Sequence, residues 1–292
     1  EYDTVTTTVQ YIGPNAIYLE DTSNPSYPSF TNAEYVDLDA TFGNTTLPTL
    51  KEYIGETVDV NGLGVDDHGR FTILITKKVN GSGALGFVSG LDMYDPSDYP
   101  GLGSNFAEIF YALAPDPGGI YGSAKSKDYV LSKYPGLLAH EVTHILHNVQ
   151  SRYAGGESLE SWEKEGVATM MEWVVGNKVL GHGGAGQNIG VTDYDEGYFA
   201  NWYHDLWDDG IRYFGSGSSA SVAPHECSWL SDVSTNCSDT RAKYRSSILF
   251  RYLLDRYGPS YPGGEAALMR AMSKSDYTGY ANLVNATGVS SI

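Results

Sequence analysis

The chain has 292 residues, 41% of them hydrophobic and 18% charged, which suits a large folded core and excludes long disorder. Its 18 Lys and Arg stand against 36 Asp and Glu, a net charge of −18, and this disfavours nucleic acid and anionic membrane surfaces as partners. No apolar run is long enough to span a bilayer, and Glu1-Tyr2-Asp3-Thr4 lacks the basic start and apolar core of a signal peptide, so a mature, processed form is the expectation; the acidity suits an extracellular protein, expected as a monomer.

In chain order, Val5, Thr7, Val9 and Tyr11 alternate with polar residues, Gly13-Pro14-Asn15 punctuates, and Ala16-Ile17-Tyr18-Leu19 resumes, which reads as a β-hairpin. Tyr35, Leu38, Phe42 and Leu50 have a weak helical period, expected to break at Gly43 and Pro48. Phe71 to Thr76 is a short β-branched apolar run of the kind that forms a buried strand, and Asn105 to Leu113 reads as another, ended by Pro115 and Pro117. Asp59, Asn61, Asp66 and Asp67 form an oxygen-rich loop that could hold Ca²⁺ but lacks the glutamate of an EF-hand; Asp193, Asp195 and Glu196 are a second such group, and both read more readily as solvated turns.

From Leu137 the period changes to that of a helix, with Leu138, Val142, Ile145, Leu146 and Val149 on one side and His140-Glu141-Val142-Thr143-His144 at its centre. A helix sets two imidazoles four residues apart on one face, which suits two nitrogen ligands to one Zn²⁺. Glu141 falls about 100° round from His140, beside the metal position, where a general base acting on water must stand. The opposing reading is two histidines on an ordinary helix.

A second helix is expected from near Ser158 through Trp162, Glu165, Ala168, Met171 and Val174, then a long loop region from Gly176 to Ala223. A helix follows from Tyr244 to Tyr257 with Ile248, Leu249, Tyr252 and Leu253 inward, and two shorter ones over Gly264–Met272 and Tyr280–Val284. Cys227 and Cys237, the only cysteines, sit in a Ser- and Asp-rich loop and read as a disulfide in an oxidising compartment, against two free thiols. The whole reads as α+β: a β-rich N-terminal lobe (1–153) carrying the histidine helix, a mainly helical C-terminal lobe (154–292), and a cleft where the two meet at the metal.

A catalytic zinc takes three protein ligands and an open position. Glu165, 21 residues after His144 on a helix able to fold back beside the first, is the third ligand chosen here. The scheme His-Glu-x-x-His-x-x-Gly-x-x-His fails, because His147 and Gln150 stand where Gly and His are required. Glu163 and Glu172 read as solvated acids, and His147 as a core or surface histidine rather than a ligand.

His140-Glu141-Val142-Thr143-His144 followed by Trp162-x-x-Glu165-Gly166-x-Ala168 resembles the gluzincin zinc metallopeptidases, and is most similar to the hyicolysin-type family of secreted bacterial proteases. The strand regions about Asp59-Val60-Asn61-Gly62, Phe71 to Thr76 and Ser104 to Tyr111 are similar to those preceding the active helix in such proteases. The resemblance implies a secreted zinc endopeptidase acting on peptide or protein substrates. It also implies that the strand Asn105 to Leu113, including Asn105, Ala107 and Glu108, is an edge that binds the substrate backbone by β-augmentation. Tyr244, at a helix start, is similar in place to the residue with which gluzincins stabilise the oxyanion; His204, beside Asp205, is the runner-up. Two other classes compete: a metal-bearing module without turnover, against which Glu141 argues, and a carbohydrate- or surface-binding protein using the aromatics of Tyr194 to Tyr213.

Overall fold

The computed structural model describes residues 4–56, 65–66, 68–101, 103–153, 155, 157–181 and 246–289. Two compact units divide the chain, one of Glu1–Pro48 with Thr57–Ile145 and one of Thr49–Glu56 with Leu146–Ile292. The architecture is mixed: every described strand lies in the first unit, and the described elements of the second are helical. No helix among the described residues is long and apolar enough to cross a membrane.

The sheet has five strands, β1 (Thr7–Ile12), β2 (Ala16–Asp21), β3 (Phe71–Ile75), β4 (Gly86–Val88) and β5 (Ile109–Ala112), in the order β1-β2-β3-β5-β4. β2, β3 and β5 run parallel, while β1 and β4 pair antiparallel with their neighbours. All five residues of β3 are buried, as expected for a central parallel strand covered on both faces. The expected hairpin is β1 and β2, and its turn is tied down by helix α1 (Asn32–Thr41): Asp39 accepts from the Ala16 N–H at 2.9 Å and from Asn15 Nδ2 at 3.2 Å. Gly13 permits this, since a Cβ there would lie 2.4 Å from the Asp39 carboxyl carbon.

Four sequence expectations are corrected. Helix α1 does not break at Gly43 and Pro48 but passes through a π-helical turn (Phe42–Thr46) into α2 (Leu47–Tyr53). Gly43 is a packing glycine, because a Cβ would meet Asn15 Nδ2 at 1.9 Å. The Leu47 N–H reaches five residues back to the Phe42 carbonyl, and this wider turn directly precedes Pro48, whose ring would otherwise crowd the carbonyl four residues before it. The strand expected over 105–113 is only Ile109–Ala112, and it is interior, held by β3 on one side and β4 on the other. Asp92, in the 3₁₀ turn Gly90–Met93, draws the preceding residues out of the ladder: its carboxylate accepts the Asn105 N–H at 3.0 Å and its carbonyl the Ala107 N–H at 2.9 Å. A short helix α3 (Lys77–Asn80) follows β3.

The third correction concerns the histidine helix. Helix α4 runs from Lys127 to Tyr153, through Pro135, rather than starting near Leu137. Its first turns are anchored by Tyr134, whose hydroxyl donates to the Leu113 carbonyl at 2.6 Å and whose ring meets Phe30 and Phe110 edge-on. Leu138, Val142, Ile145, Leu146 and Val149 are all buried, as their period required.

In the second unit, α5 (Ser161–Leu180) is followed by α6 (Ser246–Tyr257), α7 (Gly264–Ser273) and α8 (Gly279–Thr287). The buried face of α6 is Leu249, Phe250, Leu253 and Leu254; Tyr252, expected inward, is 54% exposed. Arg251 rotates the face, lying over the Trp173 ring and pairing with Asp255 at 2.8 Å and Glu265 at 2.5 Å.

Two carboxylates of the first unit couple its stability to pH. Burial raises the Asp21 carboxyl, but Ser23, Thr76 and the charge of Lys77 outweigh it and hold it below the usual carboxylate range. Glu34 is lowered in the same way, burial being outweighed by Lys127 at 2.6 Å and by Thr31. Groups depressed in the fold stabilise it above their unfolded pKa values, about 3.9 for Asp and 4.3 for Glu, and that contribution vanishes as pH falls through the lowered values. Denaturant midpoints recorded from pH 6 to pH 3 should therefore fall in the acid limb, and Lys127→Met should make that fall shallower; parallel curves for the two proteins would contradict the Glu34 assignment.

Candidate metal centre

The four-residue spacing on α4 brings His140 and His144 together. Their Nε2 atoms are 3.1 Å apart, with ring centroids at 4.8 Å and planes inclined by 76°. Helix α5 adds Glu165, and a donor atom from each of His140, His144 and Glu165 lies within 4.8 Å of the others. This is the one group of three or more such side chains among the described residues that could hold a metal ion. Two nitrogens each about 2.0–2.1 Å from a tetrahedral zinc stand about 3.3–3.4 Å apart, so the imidazole pair is within a few tenths of an ångström of that requirement. The donor set, two imidazoles and a carboxylate, is also one that zinc accepts while keeping a fourth position open.

His140 and Glu141 are each only 8% exposed, and His144 and Glu165 are half-buried. Thr143 turns its hydroxyl back to the Ala139 carbonyl at 2.7 Å, which keeps a polar side chain satisfied inside the helix packing. His147 is outside the donor group, buried with its Nε2 3.2 Å from Ser273 Oγ, as expected of a core histidine.

What presents Glu165 is the packing of α5 on α6. Trp162 stacks on Phe250 at 5.9 Å, and the Ser246 hydroxyl donates to the Trp162 carbonyl at 2.5 Å. Gly166, directly after Glu165, allows this approach: a Cβ there would fall 2.0 Å from Ser246 Oγ and 2.9 Å from its backbone carbon. Gly166→Ala should therefore separate the two helices, at a cost of about 1–3 kcal/mol. Thermal denaturation checks this, and Ser246→Gly should restore only part of the loss because the backbone conflict persists.

Glu163, expected to be solvated, is 0% exposed. Its Oε2 accepts the N–H groups of Glu160 at 2.9 Å and Gly279 at 2.8 Å, and its Oε1 accepts from Asn282 Nδ2 at 3.0 Å. Burial pushes its carboxyl above the usual range, against those hydrogen bonds. The signal available in the sequence was the spacing Glu160-x-x-Glu163, which here forms a capping box at the start of α5.

Asn105 donates through Nδ2 to Asp92 Oδ1 at 3.0 Å and to the Tyr111 hydroxyl at 2.8 Å; Ala107 packs in the cluster of Leu74 and Ile109; Glu108 is buried and accepts the Val65 N–H at 2.8 Å. None of the three lies in a strand, and the edge position expected of them belongs to β4 and β1. Asp92, which organises this loop, had no sequence signal. Asp66 pairs with His68 Nε2 at 2.7 Å. Tyr244, His204, Cys227, Cys237, Asp193, Asp195, Glu196, Asp59, Asn61, Asp67 and the aromatics of 194–213 lie outside the described residues. No protein-family model matches the chain, and no curated protein matches it.

Proposed function

We propose that the protein is a secreted zinc endopeptidase of two-lobed α+β build, with His140, His144 and Glu165 as the metal ligands and Glu141 as the general base. The observation that carries this reading is the convergence of those three donors within 4.8 Å, with Glu141 adjacent to His140 on the same helix. A zinc ion held there would polarise a peptide carbonyl and bring the pKa of a water towards about 7.

Glu141 takes the proton of the attacking water on its carboxylate and delivers it to the departing amide nitrogen, so that one group serves as base and then as acid. The low exposure of Glu141 supports this role, since a carboxylate shielded from bulk solvent competes with fewer waters for that proton. Tyr244 donates its hydroxyl to the carbonyl oxygen as charge develops there. An extended peptide adds to the free side of β4, which has no second neighbour among the described strands and pairs with β5, whose Phe110 meets Tyr134 of the histidine helix.

Casein digestion with and without a zinc chelator tests the reading. Cleavage that stops on chelation and returns on adding zinc is expected. Protein that binds zinc without cutting, or cuts equally well when chelated, would overturn it.

A further inference from the structure

Glu163 and Glu165 stand two residues apart, about 200° round α5, so they leave the helix on opposite sides. One faces the proposed metal and the other is sealed from water. A buried carboxylate is costly unless its lone pairs are filled, and the three groups that fill these come from two helices. Capping α5 alone needs only the Glu160 N–H. The other two donors, the Gly279 N–H and Asn282 Nδ2, belong to α8, and Asn282 Nδ2 also donates to the Met272 carbonyl on α7 at 3.1 Å. Gly279 is what lets α8 approach so closely: it sits at φ 60°, and a Cβ would lie 2.4 Å from Glu160 Oε1.

We propose that Glu163 is the positioning residue for Glu165: by tying the first turn of α5 to α8 at one carboxylate, it fixes the rotation of the helix about its axis and so the direction in which Glu165 points. The first turn cannot rotate without breaking the hydrogen bonds of Glu163 to Gly279 and Asn282, and Glu165 leaves the helix within one turn of that anchor. The inference rests on the zinc reading of His140, His144 and Glu165.

The test is the zinc dissociation constant, measured by competition with a chromogenic chelator, alongside the melting temperature of the metal-free protein and the visible absorption of the cobalt-loaded form. Glu163→Gln should weaken zinc binding by about tenfold to a hundredfold, the range seen when a group supporting a ligand is lost, and should alter the cobalt spectrum. Asn282→Ala should weaken it less, and the double variant should be no worse than Glu163→Gln, since both act through one link. Tyr53→Phe removes a hydroxyl that donates to Glu265, outside this link; it should lower the melting temperature and leave zinc affinity alone. A Glu163→Gln protein that melts lower but binds zinc like the wild type would overturn the proposal and leave Glu163 a purely structural cap. Should that variant not fold, unchanged affinity in Asn282→Ala overturns it instead. Failure of the wild type itself to bind zinc would be a different result, removing the metal reading and this inference with it.

Discussion

Glu141→Gln should hydrolyse peptide bonds at least about a hundredfold more slowly than the wild type while retaining its zinc, a loss in line with removing a general acid/base. The substitution is nearly isosteric and keeps one acceptor oxygen, so the side chain still fits a site where the native residue is 8% exposed. What it removes is the ability to take a proton and return it, and a hundredfold corresponds to about 2.7 kcal/mol of barrier. Glu141 is not among the three converging donors, so the metal content should not change. Elemental analysis and the rate on a quenched peptide, taken on the same preparation, separate the possibilities: a preserved rate rules Glu141 out as the base, and lost zinc makes it a ligand.

The histidine pair was legible because the 3.6-residue period fixes both the buried stripe of α4 and the meeting of side chains four apart; local spacing alone determines them. Glu165 was legible only through the demand for a third ligand, since by type and neighbourhood it does not differ from Glu163. Their fates are decided by contacts distant in sequence: Gly279 and Asn282 seal one, while the other falls in the donor group of His140 and His144. The start of α4 was missed because Pro135 reads as a helix breaker, yet Tyr134 buries itself against Phe30 and Phe110 and carries the helix through. The sheet edge was misplaced for a similar reason. Asn105 to Ala112 has the composition of one long strand, but Asp92 takes the backbone of its first part, and the strand that covers β5 is only Gly86-Phe87-Val88, too short for a period and headed by a glycine that makes room for the Phe110 ring. Such outcomes depend on side chains far along the chain, which local propensity does not register.

Glu165→Ala should abolish stoichiometric zinc binding while leaving the metal-free fold nearly as stable as the wild type. Two imidazoles from adjacent turns remain, and they satisfy only two of the three protein positions that a catalytic zinc requires. Glu165 is half-buried, so alanine opens no large cavity; its neighbour Gly166 still receives Ser246, and Glu163 still caps the helix. The consequence is visible in melting curves. Zinc that binds only the folded protein stabilises it by about 4.1 kcal/mol at a thousand times its dissociation constant, so the wild-type transition should climb with added zinc. The Glu165→Ala transition should stay where the metal-free protein melts. If the variant climbs with zinc as the wild type does, the third ligand is another residue; if the two metal-free proteins already melt far apart, Glu165 holds the fold together and its part in metal binding loses its support.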